Sequence, residues 1–143
     1  MTLVAACGAS SPNTVQMYPV YQFTCCARED VEQAWNPGQT VELHWMVRQG
    51  APSVSNTPHP VTLYATIMGP YADVATLKRG GSARYTIQGS TVRTNDRTPS
   101  PVPVSTLILT SNLPAGYYNL MFVDDLGDGR SSPGAFPIRI GAG

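Results

Sequence analysis

The stretch that most constrains this fold runs from residue 35 to residue 47 and reads Trp-Asn-Pro-Gly-Gln-Thr-Val-Glu-Leu-His-Trp-Met-Val. Its Asn36-Pro37-Gly38 segment predicts a tight turn, because Pro fixes one backbone dihedral and Gly accepts the positive φ that follows. Beyond the turn the residues alternate, with Val41, Leu43, Trp45 and Val47 on one face and Glu42, His44 and Met46 on the other. This period of two predicts a half-buried antiparallel strand whose Trp45 anchors the core.

Other segments rich in β-formers predict further short strands. They cover residues 15–27, 61–67, 104–110, 117–123 and 135–140, with shorter candidates at 74–78, 83–88 and 91–94. Thirteen Pro and thirteen Gly residues disfavour long helices, so a helical turn is expected only at residues 28–34. Turns are predicted at Gly69-Pro70 and across residues 124–129, and a polar loop at residues 48–60. The sequence thus predicts one all-β domain, residues 15–143, of seven to nine strands.

The amino-terminal residues 1–14 show no periodic pattern and are predicted to form a flexible tether. Within them, Leu3-Val4-Ala5-Ala6-Cys7-Gly8 resembles the lipobox of bacterial lipoproteins, which implies a lipid on Cys7. A plain unstructured start, or another role for Cys7, is the alternative. No stretch approaches the roughly 18 apolar residues of a membrane span, so membrane contact is expected only through such a lipid.

The three cysteines leave the pairing open. Cys25 and Cys26 are adjacent, and neighbouring residues of a strand point to opposite faces, so a bridge between them is not expected. If Cys7 carries a lipid, the other two are predicted to be free thiols. Without the lipid, Cys7 would pair with one of them.

Charge excludes some partners. Nine basic residues balance nine acidic ones, and charged residues make up only 13% of the chain, about half the usual share. The basic stretch from residue 78 to residue 97 is diluted by Gly and Thr and is interpreted as a solvated face. Nucleic acid is therefore not an expected partner.

A second motif, Leu113-x-x-Gly116-x-Tyr118, resembles the tyrosine corner of immunoglobulin-like and fibronectin type III domains. With the Pro37-to-Trp45 stretch and the Phe136-x-Ile138 strand, the chain resembles secreted Ig-like modules. These include the fungal Ser/Thr-rich cell-wall synthesis family and modules of bacterial envelope lipoproteins. The resemblance implies a single antiparallel Ig-like β-sandwich, and in it the Tyr118 hydroxyl returns to an upstream backbone group. The chain contains no Asn-x-Ser/Thr glycosylation sequon, which favours a bacterial envelope over a fungal wall.

Two sets of side chains are candidates for binding. Aromatic residues predicted at loops or opposite the core could stack on sugars or anchor a partner; they are Trp35, Tyr64, Tyr71 and Tyr117. His44 and Met46 share the outward face of one strand, about 7 Å apart, and imidazole with thioether suits Cu(I). His59, Met68, Met17, Cys25 and Cys26 are the candidates for a third copper ligand.

The sequence offers little support for catalysis or calcium binding. It contains neither a Gly-x-Ser-x-Gly elbow nor a phosphate-binding Gly loop. The acidic run at Asp124, Asp125 and Asp128 lacks the spacing of an EF-hand and suits a hairpin turn instead.

The chain is therefore predicted to be a non-catalytic extracytoplasmic module, secreted or lipid-anchored. It would present loops and a sheet face to a protein or polysaccharide of the cell envelope, without a cofactor. One alternative is a copper-handling module that uses His44 and Met46. Another is a structural subunit of a particle or filament, a homo-oligomer in which residues 95–103 or the amino-terminal arm join neighbouring copies.

Overall fold

The computed structural model describes residues 16–26, 34–97 and 100–141. The tether at residues 1–14 with its lipobox at Cys7, and most of the helical turn expected at residues 28–34, lie outside the described residues. The described part is mostly strand, which confirms the all-β prediction. Its elements are β1 (Tyr18–Cys25), β2 (Ala34–Trp35), β3 (Thr40–Ser53), β4 (Pro60–Tyr71), α1 (Val74–Arg79), β5 (Tyr85–Gln88), β6 (Val92–Asn95), β7 (Val104–Ile108), β8 (Gly116–Gly127) and β9 (Arg130–Ile140).

The strands form two sheets that share one hydrophobic core. The three-stranded sheet has the order β1-β3-β7. The larger, curled sheet has the order β2-β9-β8-β4, and β5 and β6 follow one another along the far edge of β4. All pairs are antiparallel except β2, which runs parallel to β9.

Trp45 joins the two sheets as the alternation of β3 predicts. Its side chain is buried, while Glu42, His44 and Met46 point to solvent. The indole Nε1 donates a hydrogen bond of 2.9 Å to Ser105 Oγ on β7, and the ring meets Phe122 of β8 edge-on at 6.0 Å. The buried indole N–H therefore keeps a partner while the ring packs against the opposite sheet.

Phe122 fills the space above a glycine of the neighbouring strand. Gly134 is its direct partner on β9, and a methyl group at that position would overlap the Phe122 ring. Phe122 also stacks on Phe136 of the same neighbouring strand, with ring centroids 5.5 Å apart. Phe136 was expected to share a buried face with Ile138 and Ile140. It lies at the margin of the core and is partly exposed, whereas the two isoleucines are buried.

The tyrosine-corner motif has the hydrogen bond that its resemblance implied. The Tyr118 hydroxyl donates to the Pro114 carbonyl at 2.7 Å, and the ring is buried. Burial, followed by the nearby Tyr85, raises the pKa of Tyr118 above its ordinary value, so the hydroxyl stays protonated as a donor. Gly69 allows the close approach, since a Cβ there would lie 2.6 Å from Tyr118 Cδ1.

Residues 74–78 were predicted as a strand and instead form α1. The Asp73 carboxylate accepts the Thr76 N–H at 2.7 Å as an N-cap, which also holds the pKa of Asp73 below its ordinary value. Gly80 closes the helix with a φ of 78° and donates its N–H to the Leu77 carbonyl. The Asp before this segment and the Gly after it are the sequence signals that indicate a helix, and the strand prediction did not use them.

Three predicted boundaries were also wrong, because strand pairing continues through them. β3 extends to Ser53 along β1, into the segment predicted as a loop. β4 passes through Gly69-Pro70 to Tyr71, since a register shift after Met68 accommodates the missing proline N–H. The turn predicted across residues 124–129 is confined to Asp128-Gly129, both at positive φ.

Cys25 and Cys26 depart from the expectation for adjacent strand residues. Both side chains are buried, and their sulfur atoms lie next to each other. The pairing of the three cysteines stays a prediction, since Cys7 lies outside the described residues.

Several positions on the sheet edges are unavailable for strand addition. On β9, Pro133 and Pro137 have no N–H to offer, and the Gly141 N–H donates to the Trp35 carbonyl at 2.9 Å. On β1, the Tyr21 N–H is bound by the Asp96 carbonyl at 3.2 Å. On β7, the Thr106 carbonyl accepts the Ser90 N–H at 2.9 Å, and the Thr106 N–H donates to Ser90 Oγ at the same distance.

We predict that Gly69→Ala lowers the free energy of unfolding by roughly 1–3 kcal/mol, as overpacking of a core does. The added methyl group meets the Tyr118 ring and also the Tyr117 carbonyl, 2.9 Å from the ideal Cβ position, and the backbone cannot easily yield. Urea unfolding measures the change. Gly141→Ala is the matched control, because nothing lies within 4 Å of its Cβ position. Equal stability of Gly69→Ala and the wild type would contradict this packing.

Candidate functional site

The outward side of the larger sheet, here called the outer sheet face, has an uncharged centre. Strand register places three consecutive rows of side chains on it, with no Lys, Arg, Asp or Glu in any of the three. Formal charges enter only in the end rows, as Arg93 and Asp125 at one end and Arg139 at the other. The central rows contain Tyr64, Thr66 and Met68 of β4, Gln88 and Thr86 of β5, Asn119, Met121 and Val123 of β8, and Pro133, Ala135 and Pro137 of β9.

Two large side chains stand out from this face. Tyr64 is 42% exposed and Met121 is 41% exposed. They lie in diagonal positions on adjacent strands, because Tyr64 opposes Val123 and Met121 opposes Thr66, two residues further along β4. Side chains at such diagonal positions are within reach of one another, so the two form one exposed surface.

The strand beside Tyr64 is broken, and the break leaves a notch. β5 pairs with β4 up to Gln88, and β6 resumes the pairing at Val92, so residues 89–91 oppose only residues 64–65. The extra residue makes this a β-bulge. The notch is a cavity of about 110 Å³, lined by Tyr64, Ala65, Thr66, Gln88, Gly89 and Thr91.

Backbone bonds to both sheets fix the notch. The Gly89 N–H donates to the Ala65 carbonyl at 2.8 Å, and the next residue, Ser90, turns to bond β7 of the other sheet. Close packing favours Gly89, since a Cβ there would lie 3.1 Å from Leu107 and 3.2 Å from the Ala65 carbonyl.

The four aromatic residues predicted to bind a ligand have three different environments. Tyr64 is exposed beside the notch, as expected. Tyr71 and Tyr117 are direct cross-strand partners, both half-buried, and the Tyr71 hydroxyl donates to the Gly81 carbonyl at 3.2 Å. Trp35 was predicted to be accessible and is 2% exposed, because β2 pairs with the end of β9 and turns the indole into the core. Trp35 is therefore a core residue.

The copper candidates are not gathered in one place. His44 and Met46 share the outer face of the three-stranded sheet, with His44 Nε2 3.8 Å from Glu42 Oε2. His59 follows the opposite end of β3, where its Nε2 lies 2.5 Å from the Leu126 carbonyl. Within residues 16–26, 34–97 and 100–141, no group of three His, Cys, Asp or Glu side chains could hold a metal ion. Copper binding by His44 and Met46 stays a prediction.

A buried ion pair organises the end of the molecule where β6 finishes. The Asp96 carboxylate accepts the His59 backbone N–H at 2.8 Å and lies 3.1 Å from Arg97 Nε. Arg97 Nη2 donates to the Ser55 carbonyl at 2.9 Å, and its guanidinium covers the Tyr18 ring at 4.9 Å. These contacts tie β1 and the β3–β4 loop to β6. Arg97 is thus largely internal, contrary to the solvated face predicted for the basic stretch.

A second buried carboxyl, Asp124, lies between β1 and β9. It is 4% exposed and lines a cleft of about 230 Å³ whose walls include Gln22, Phe23 and Ser132. Burial raises the pKa of Asp124 above its ordinary value of 3.8, while the backbone N–H groups of Phe23, Asp124 and Ser132 act in the opposite direction. Asp124 is therefore part of the packed region and not of the acidic turn predicted from the sequence.

Comparisons with known proteins add no family. Neither protein-family models nor curated proteins gave a match to this chain. The described residues include no helix with the length and apolar character needed to cross a membrane. The described molecule is a small, mostly β protein with an uncharged sheet face and a notch beside Tyr64.

Several residues of this surface were not predicted from the sequence. Thr66, Gln88, Thr91 and Met121 come together only through the register of β5, β6 and β8 on β4. Nothing local in the sequence specifies that register. Gly89-Ser90 between two short β segments was the one available signal, since an isolated Gly inside a strand pattern indicates a bulge.

We predict that Asp124→Asn removes part of the acid dependence of folding stability. Because the pKa of Asp124 is raised on folding, the folded state binds this proton more tightly than the unfolded state. The wild type should therefore gain stability from this group as the pH falls from neutral toward 3.8, and Asp124→Asn should lose that gain. Urea unfolding across this range, compared with the exposed-site control Asp128→Asn, measures the difference. Parallel stability curves for Asp124→Asn and wild type would contradict the assignment.

Proposed function

We propose that this chain is an Ig-like β-sandwich module outside the cytoplasm that binds a protein or polysaccharide of the cell envelope through its outer sheet face. The binding involves no catalysis and no cofactor. The observation that carries the proposal is the uncharged centre of that face, with Tyr64 and Met121 exposed side by side. Binding surfaces are depleted in Lys, Glu and Asp at their centres and enriched in Tyr and Met.

The strand order supports the Ig-like part of the proposal. Ig-like domains place strands A, B and E in one sheet and C, F and G in the other. Lettering β1, β3 and β7 as A, B and E gives the smaller sheet its observed order. When β4, β8 and β9 are lettered C, F and G, the order C-F-G matches the order of these three strands in the larger sheet. Tyr118 then lies on strand F.

Partly occupied edges also favour binding through a face. Pro133 and Pro137 of β9 offer no N–H, and on β1 and β7 the outward groups of Tyr21 and Thr106 are already bonded. The edge formed by β5 and β6 is broken by the bulge. The outer sheet face, with its aromatic and thioether groups, therefore favours a partner more than strand addition does.

The experiment compares two methionines on opposite outer faces. Met121 is 41% exposed on the larger sheet, and Met46 is 38% exposed on the smaller one. We expect the wild type and Met46→Asp to co-sediment with an insoluble cell-envelope preparation. Met121→Asp should bind about tenfold or more weakly, because the new charge would be desolvated at the interface.

Two outcomes contradict this proposal. One is equal retention of Met121→Asp and Met46→Asp, and the other is no retention of the wild type. Light scattering on the same samples separates envelope binding from self-association. A concentration-dependent mass that Met121→Asp abolishes, without envelope binding, would identify the outer sheet face as a contact between copies of this chain.

A further inference from the structure

The notch has the lining of a carbohydrate subsite. Its lining includes the aromatic residue Tyr64, the amide residue Gln88, the hydroxyl residues Thr66 and Thr91, and Gly89. An aromatic ring offers a flat apolar surface to the C–H face of a sugar. Amide and hydroxyl groups both donate and accept hydrogen bonds, as sugar hydroxyls require.

The charges around the notch favour a neutral sugar over an acidic one. None of its lining residues is charged. The nearest charges along the sheet, Arg93 and Asp125, lie in the next row, where both oppose Thr62. A uronate or sulfate group would find no cation among the lining residues themselves, and desolvating such a group without a partner is costly.

Residues along β4 extend the candidate binding surface beyond the size of one sugar ring. From Tyr64, the outward residues Thr66 and Met68 lead along β4 to the Tyr71–Tyr117 pair. The seven residue steps from Tyr64 to Tyr71, with one irregularity, span about 20 Å, which is longer than a single sugar ring. The aromatic positions thus suit a chain of sugars lying along β4, with one ring seated in the notch.

A bulge that only protects a sheet edge would explain the break between β5 and β6, but not the rest of this arrangement. Edge protection requires neither an exposed Tyr64 nor amide- and hydroxyl-bearing residues that line the same cavity. The walls are also held before any ligand binds, by the Gly89 to Ala65 bond and by the bonds of Ser90 to Thr106. Preorganised walls reduce the entropic cost of binding.

We infer that the notch beside Tyr64 is a subsite for one ring of a neutral polysaccharide, which the outer sheet face binds along β4. This inference rests on the proposed function and specifies its ligand class.

The test is a titration of the ¹⁵N-labelled protein with cellotetraose, laminaritetraose and chitotetraose as neutral probes, and with tetragalacturonate as the acidic one. We expect at least one neutral probe to shift the backbone amides of Gln88, Gly89 and Thr91. Tyr64→Ala and Gln88→Ala should each weaken that binding about tenfold. Gln49→Ala, an exposed glutamine on the other sheet, is the matched control and should leave binding unchanged.

Each other outcome overturns the inference. Binding only of tetragalacturonate would show an acidic ligand. Shifts confined to residues away from the notch, or unchanged affinity in Gln88→Ala, would remove the subsite. If no neutral probe binds while Met121→Asp still abolishes envelope retention, the inference fails and the proposed function stands. If both experiments are negative, both fail.

Discussion

The contacts of one indole ring hold the two sheets of this molecule in their relative position. Trp45 donates its buried N–H to Ser105 on β7 and places its ring edge against Phe122 on β8. Because Phe122 in turn covers Gly134 and stacks on Phe136, the contact reaches β9. Trp45 of β3 therefore contacts β7 in its own sheet and β8 in the larger sheet. The outer sheet face is the reverse side of that packed surface, so its shape depends on the same contacts.

Two clusters of charged side chains in the described residues lie at the ends of strands. Asp96 with Arg97 lies where β6 ends, and Asp128 with Arg130 and His59 lies where β8 turns into β9. Only 13% of the chain is charged, and the three central rows of the outer sheet face contain no charged residue. A face of that kind interacts weakly with water compared with a charged one, which makes it available for hydroxyl, amide and aromatic contacts with a partner. Some edge positions, such as Tyr21 of β1 and Thr106 of β7, are already bonded within the molecule.

The sequence predicted best what short-range periodicity controls. The alternation of β3, the core role of Trp45 and the hydrogen-bonded Tyr118 corner were all predictable, because each depends on residues close in the chain. The helix at Val74–Arg79 was missed although its caps were visible, since the glycines that follow it were interpreted as a turn between short strands. Trp35 was misplaced for a different reason: its burial depends on pairing with Ile140, about a hundred residues away, and no local pattern reports such a contact. The same limit hid the notch, which exists only through the register of β5 and β6 on β4.

The two hydrogen bonds between Ser90 and Thr106 affect how the notch could be transferred to another protein. Ser90 belongs to the broken edge strand of the larger sheet, yet its N–H and hydroxyl are both held by Thr106 of the smaller sheet. The shape of the notch beside Tyr64 therefore depends on β7, a strand of the other sheet that no ligand on the outer sheet face would touch. Grafting only the residues that line the notch onto another β scaffold would transfer their side chains but not the cavity between them. A working transplant would have to include the strand behind the surface as well.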